Sequence, residues 1–209
     1  MQSQEIINRF YQVRYNIFNR IYNAKIVYKI LMVFCMACIT GLLAQFRFFL
    51  PWSPVPITGQ TFAVLMSGVL LGAVWGGLSQ FVYVILGLAG VPWFADGKAG
   101  LSILFGPTGG YLIGFVIASL LIGYIIDKNP KLRNFLPMII LMAAVNFFII
   151  YGFGLLNLNL WLKIVKGSSV SLWELLMMGA IPFIPGGIVK IILAAGITKI
   201  ILPKKDFSK

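Results

Sequence analysis

Histidine is absent from the 209 residues, and only five are acidic: Glu5, Asp96, Asp127, Glu174 and Asp206. No two of these carboxylates are close in the chain. General acid–base chemistry needs paired titratable groups, and covalent chemistry needs an activated nucleophile. No catalytic residue is expected. Cysteine is almost as scarce. Cys35 and Cys38 have the C-x-x-C spacing, but both lie in an apolar run with no histidine or carboxylate beside them. They read as packing residues, and no metal site or cofactor is expected. The glycine-rich segment FGPTGGYLIG, residues 105–114, lacks the G-K-[ST] ending of a phosphate-binding loop. A chain of this kind does not hydrolyse nucleotides by itself. Uphill movement of a substrate would draw on a partner or an ion gradient.

Charge of either sign is also sparse. It amounts to 11% of residues, against about 25% in a soluble domain. Residues 48–95, 99–126 and 134–162 carry no charged side chain, and mean hydropathy is +0.95. Apolar stretches of about 18 residues or more read as membrane-spanning helices. The expected fold class is an all-α integral membrane protein with six transmembrane helices. The spans fall at 26–50, 60–71, 74–89, 107–126, 135–162 and 185–202, the second and third being joined at Gly72 or at Gly76-Gly77. Residues 171–181 are too short to span and belong at the interface. They open with a capping box, Ser171 to Glu174. Residues 1–25 form an amphipathic segment with Ile6, Phe10, Val13, Ile17 and Ile21 at helical spacing. Residues 26–203 are the membrane domain and 204–209 a basic tail.

Six spans put both termini on one side. That side collects twelve lysines and arginines: Arg9, Arg14, Arg20, Lys25, Lys29, Lys128, Lys131, Arg133, Lys199, Lys204, Lys205 and Lys209. The other has four: Arg47, Lys98, Lys163 and Lys166. The excess marks the cytoplasmic side, so both termini are expected inside a cell membrane. Topology and contact with anionic lipid account for the net charge of +12 without nucleic acid.

Polar residues stand out where apolar ones belong: Gln60, Tyr83, Asp96, Lys98, Tyr111, Asn146, Asn157, Asn159 and Lys190. Most fall toward the non-cytoplasmic half. Amides, aromatic hydroxyls and one or two ammoniums in a shallow pocket suit a small amphipathic anion. Tyrosines are also common at membrane interfaces, and Asn146 suits a bond to a neighbouring helix. Lys190 lies inside the last span, with Gly186, Gly187, Leu193 and Ala194 as its helical neighbours. It therefore points either to a ligand oxygen or across to Asp96.

Residues 55–115 carry three motifs. They are V-P-I-T-G-Q-T, then Y-x-x-x-G-x-x-G-x-P, then G-P-T-G-G-Y-L-x-G. With IIYGFGLL (149–156) and PFIPGGIVK (182–190), this stretch resembles the BioY family, the biotin-binding S components of energy-coupling-factor transporters. The similarity runs from about Val33 to Gly196. It implies an S-component-like bundle with a biotin site near the outer surface. It also implies a cytoplasmic-side partner, a coupling membrane protein with two ATPase subunits. The loop after the first helix would close over the ligand, so that within PWSPVPITGQTF (51–62) Val55–Gln60 would be a lid and a site edge. Thr58, Gln60, Tyr83, Lys98, Tyr111 and Lys190 would form the substrate-binding set. Ala37 and Gly41, four apart on the first span, would be the face that packs on the coupling protein. One position departs from the family. Many relatives read P-G-D-x-x-K where this chain has Pro185-Gly-Gly187-Ile-Val-Lys190. The expected function is substrate binding for biotin uptake. Lipoate or another vitamin-like carboxylate, and solitary transport without a module, are the alternatives within transport. A membrane enzyme or scaffold is the alternative outside it.

Overall fold

The structure, a computed structural model, describes residues 2–203, and the side chains of residue 9 and residues 11–203. The expected basic tail 204–209 lies outside the described residues, as do the side chains of Ile6 and Phe10. The helices are α1 (Gln2–Tyr22), α2 (Ile26–Ala44), α3 (Gln60–Leu88), α4 (Gly109–Lys128), α5 (Phe135–Ala144), α6 (Tyr151–Val165), α7 (Leu172–Gly179) and α8 (Ile184–Ile201). A π-helical turn, Val145–Ile150, joins α5 to α6. Among the described residues, five helical stretches are long and apolar enough to cross a membrane. Backbone polar groups have no water to bond in lipid, so helices, which satisfy them internally, are the form such runs must take.

The second of these stretches, α3, is broken. Gly72 has φ +75° and ψ −174°, a conformation that only glycine adopts without strain. The chain reverses there. A Cβ on Gly76 would lie 2.8 Å from the Ser67 carbonyl, so the two halves lie side by side. Of the two joints expected from the sequence, the turn is at Gly72; Gly76 provides the contact behind it, and Gly77 faces Leu120 of α4. The Asp127 carboxylate accepts from the Ala73 N–H at 3.4 Å at the start of the second half.

α4 is the central helix, packed by both halves of α3, by the π turn and by α6. Backbones nearly touch along its contact with α3. A Cβ on Gly68 would stand 2.4 Å from the Ser119 carbonyl, and one on Gly123 would stand 2.3 Å from Ala73 N. Ser67 and Ser119 share a hydrogen bond of 2.7 Å between them. Small residues with hydroxyl bridges hold helices together in lipid, where apolar burial offers no gain. Ile122, Ile126, Met138, Met142 and Ile150 fill the core around this seam.

Some boundaries differ from the expected ones. The first span stops at Ala44, because residues 47–48 pair with residues 57–58 as a two-stranded antiparallel ladder, β1 (Arg47–Phe48) and β2 (Ile57–Thr58). The fourth starts at Gly109 rather than Pro107, because Pro107-Thr108 complete the preceding turn. The capping box at Ser171 and Glu174 is present. In α1, Val13 and Ile17 are exposed while Arg14 and Phe18 turn inward. Arg14 donates to the carbonyls of Lys199 (3.0 Å), Ile201 (3.2 Å) and Leu202 at the end of α8. Arg133, buried, donates to Ile126 O at 3.3 Å and Pro203 O at 3.2 Å. These two guanidiniums therefore do more than set topology: they satisfy the open carbonyls of helix ends.

The seam makes a prediction. Gly123→Ala should lower stability by about 1–3 kcal/mol or more, because its Cβ meets backbone that cannot move aside. Gly152→Ala, a helical position with nothing within 4 Å, should be neutral or stabilise by up to about 1 kcal/mol. Thermal unfolding of the two variants in the same detergent checks the pair.

Candidate ligand-binding site

The β1–β2 pair closes a loop, residues 49–56, over the end of the bundle opposite Arg14 and Arg133. Two prolines and Val55 on this loop face a cavity. The loop is held at its far side by Ser53, whose hydroxyl approaches the Met178 carbonyl at 2.5 Å and the Val55 carbonyl at 2.9 Å. With its mouth, the cavity holds about 1010 Å³ of space not filled by atoms. Its walls are mostly apolar and aromatic, with Phe94, Phe115 and Phe183 among them.

Five of the six residues picked from the sequence line this cavity: Thr58, Gln60, Lys98, Tyr111 and Lys190. Gln60 opens α3 and is fixed at both ends of its amide. Its Oε1 accepts from the Thr58 hydroxyl at 2.7 Å, and its Nε2 donates to the Tyr83 hydroxyl at 2.7 Å. Tyr83, the sixth residue, is wholly buried behind Gln60 and does not reach the cavity wall. Its hydroxyl lies 3.4 Å from the Trp93 carbonyl, and the Trp93 indole donates to the Tyr83 carbonyl at 2.9 Å. Each amide has two donor hydrogens and two lone pairs, so Gln60 keeps one of each for a ligand, in a fixed orientation.

Lys190 comes in from α8 and donates to the Thr58 carbonyl at 2.8 Å. It does not reach Asp96, which was one of its two expected partners. Asp96 instead accepts from Arg47 at 2.6 Å and lies 3.7 Å from Lys98. That group is solvent-exposed and joins β1 to the loop after α3. Lys98 sits at the rim with 56% of its side chain exposed.

Tyr111 stands on the first turn of α4. Its ring fits because Gly154 faces it; a Cβ there would lie 2.3 Å from the ring. Its hydroxyl donates to the Gly179 carbonyl at 2.6 Å, tying α4 to the end of α7. Gly110 likewise lets α4 approach Phe153 O of α6, at 2.1 Å from a Cβ built there. The G-P-T-G-G-Y motif is thus a packing device that sets Tyr111 on the wall.

Thr61 and Tyr151 are among the wall residues not picked from the sequence. Thr61 lines the cavity, and its buried hydroxyl has no hydrogen-bond partner among the described residues. A buried polar group left unpaired costs about 1–3 kcal/mol, which a ligand or water could relieve. Its place one residue after Gln60 was a usable signal. Tyr151 also lines the wall. In sequence it is one tyrosine in an apolar run, with nothing to separate it from an interfacial ring.

The expected partner face is not where it was placed. Ala37 is fully buried, and a Cβ on Gly41 would lie 3.0 Å from Trp93 Cβ. Both belong to the inward face of α2, with Thr40, which pairs with Gln80 of α3. The small residues admit this chain's own Trp93 and α3, so they present no outer surface.

Comparison with known proteins places this geometry. The model of the BioY family matches residues 15–205. A probable biotin transporter BioY from Methanothermobacter thermautotrophicus is 52% identical over 144 residues, covering 69% of this chain and 92% of the relative. The biotin transporter BioY of Thermotoga maritima is 34% identical over 146 residues, covering 70% and 80%. A crystal structure of the S-component for biotin from an ECF-type ABC transporter superposes with a TM-score of 0.73 at 26% identity. It covers 85% of this chain and 92% of that one. The apolar helices and these relatives together make the chain a multi-pass membrane protein. With a family model spanning nearly its whole described length, the chain belongs to the BioY family.

Proposed function

We propose that the chain binds biotin in the cavity beneath residues 49–56 and is the substrate-binding component of a biotin uptake system. The observation that carries this is the cavity itself: an apolar, aromatic box with a few fixed polar groups at one end of a membrane bundle. A fused bicyclic ring and a short alkyl chain match such walls, and a carboxylate matches ammoniums. Of the two ammoniums, Lys98 sits at the mouth and Lys190 deeper. Gln60, Thr58, Thr61 and Tyr111 supply the remaining polar points, with Tyr83 holding Gln60 in place.

The break in α3 at Gly72 supports a reading in which the five long apolar stretches make six crossings. The basic residues then place both termini in the cytoplasm and the cavity outside. No nucleotide motif is present in the sequence, and the likeness to an S-component of an ECF-type transporter supports a coupling membrane protein and two ATPase subunits, docked on the cytoplasmic side, as the source of energy for uptake.

Titration of purified protein in nanodiscs should show saturable biotin binding tighter than about 1 μM, or −8 kcal/mol, with lipoate binding more weakly. Saturable lipoate binding without biotin binding would overturn the choice of ligand. Lys190→Met should weaken biotin binding by roughly ten- to a hundred-fold, since a charged hydrogen bond is worth about 1.5–3 kcal/mol. Unchanged affinity would mean that Lys190 serves only Thr58.

Tags at the two ends should both resist external protease in right-side-out vesicles. Cleavage of either one contradicts six crossings with both ends inside.

The purified chain should release no phosphate from ATP, and ATP-driven biotin uptake into vesicles should appear only with the partner module. Uptake by the chain alone would point to solitary transport.

A further inference from the structure

The π turn Val145–Ile150 is the irregularity in the long apolar stretch Phe135–Val165. Such turns are rare and recur at functional sites. In an α-helix, residues five apart point about 140° away from each other. The wider turn instead turns Asn146 and Tyr151 toward each other. Asn146 is 1% exposed, and its Nδ2 has no partner within hydrogen-bond distance among the described residues. The amide faces the Tyr151 hydroxyl without closing that bond. Buried amide donors are almost always paired, so this one is waiting for an acceptor.

Tyr151 lines the cavity. Its ring packs edge-on against Phe147 at 5.5 Å and Phe183 at 6.2 Å, which fixes its direction. Its hydroxyl donates to the Phe183 carbonyl at 3.3 Å, a long bond for an O–H donor. Opposite stands Gly187. A Cβ there would lie 3.1 Å from the Tyr151 hydroxyl and 3.6 Å from Asn146 Nδ2. The glycine therefore leaves both groups clear of a side chain. Lys190 is one turn further along the same face of α8. The side chains gathered here bring three donors: an amide N–H, a phenolic O–H and an ammonium. The nearest loop acid, Asp96, is engaged by Arg47 and Lys98.

We infer that Tyr151 is a ligand-recognition residue, positioned by Asn146, and that its hydroxyl on the cavity wall takes a neutral carbonyl oxygen of the ligand. On binding, the Tyr151 hydroxyl leaves the Phe183 carbonyl and donates to that oxygen. Its own oxygen then accepts from Asn146, and the unpaired amide is satisfied. The inference rests on the ligand reading above, in which biotin brings one such carbonyl, in its ureido ring, besides its carboxylate.

The test compares biotin with 2-thiobiotin, whose sulfur is a weaker acceptor at the same place. The parent chain should favour biotin. Tyr151→Phe should lower biotin affinity about tenfold and change 2-thiobiotin affinity less than twofold. Asn146→Leu, which keeps the side chain's size and removes the donor, should narrow the biotin preference in the same way while melting no lower than the parent. A parent chain that binds neither compound overturns the ligand reading, and this inference with it. A parent that binds biotin, with both variants losing the two ligands equally or losing neither, overturns this inference alone.

Discussion

The contact between Gly123 of α4 and the backbone at Gly72 and Ala73 is the constraint from which the site follows. In an unbroken α-helix, residues 60 and 83 would stand about 35 Å apart. Here the Gln60 amide and the Tyr83 hydroxyl are 2.7 Å apart. Only a reversal near the midpoint brings them together, and only a chain without a Cβ at 123 can lie against that reversal. The fold-back thus turns one long apolar run into two short helices whose ends meet at the cavity. One end supplies a ligand-facing amide and the other the group that aims it.

From that point the hydrogen bonds run outward without a gap. Trp93 holds Tyr83, Tyr83 holds Gln60, Gln60 holds the Thr58 hydroxyl, and Thr58 gives its carbonyl to Lys190 on α8. Thr58 is also the last residue of β2, the strand that leads out of the covering loop. The first and last parts of the membrane domain are therefore joined through one short ladder beside the cavity. The groups are arranged to hold and orient a ligand. None is a nucleophile paired with a base, in keeping with a family of transporters.

Much of this was legible in the sequence, for physical reasons. Charge-free runs mark spans because lipid excludes charge. Glycines in the middle of such a run mark a reversal, although Gly72 could not be told from Gly76-Gly77 without the contact that each makes. Gln60, Lys98 and Lys190 stand out because amides and ammoniums are costly in an apolar setting, and the structure brings all three to one cavity. Direction was harder to read. α2 is apolar on every side, so no periodicity says which face turns inward, and Ala37 and Gly41 could be assigned to a partner when they admit Trp93. The π turn leaves no mark either. Its residues, VNFFII, differ from their neighbours only by Asn146, and the i to i+5 spacing appears only once the backbone is traced. Tyr83 opens a motif in the sequence and Tyr151 does not. One stands behind the wall and the other on it, and the difference depends on helix rotation.

Lys190 shows how the covering loop and a ligand can be linked. An ammonium within the apolar part of a membrane protein needs an acceptor at all times. Asp96 is engaged elsewhere, and position 187 bears no carboxylate. The acceptor is then a backbone carbonyl at the root of the loop. A ligand oxygen that takes the ammonium would leave Thr58 with its hydroxyl bond to Gln60 but without its link to α8. The loop's hold on α8 and the ligand's hold on the same ammonium would then be alternatives. Ser53 on Met178 and Arg47 on Asp96 would still hold the loop in place. A carboxylate at position 187 would offer the ammonium a standing partner and relax this competition. With glycine there, the loop's link to α8 would depend on the ligand through one side chain.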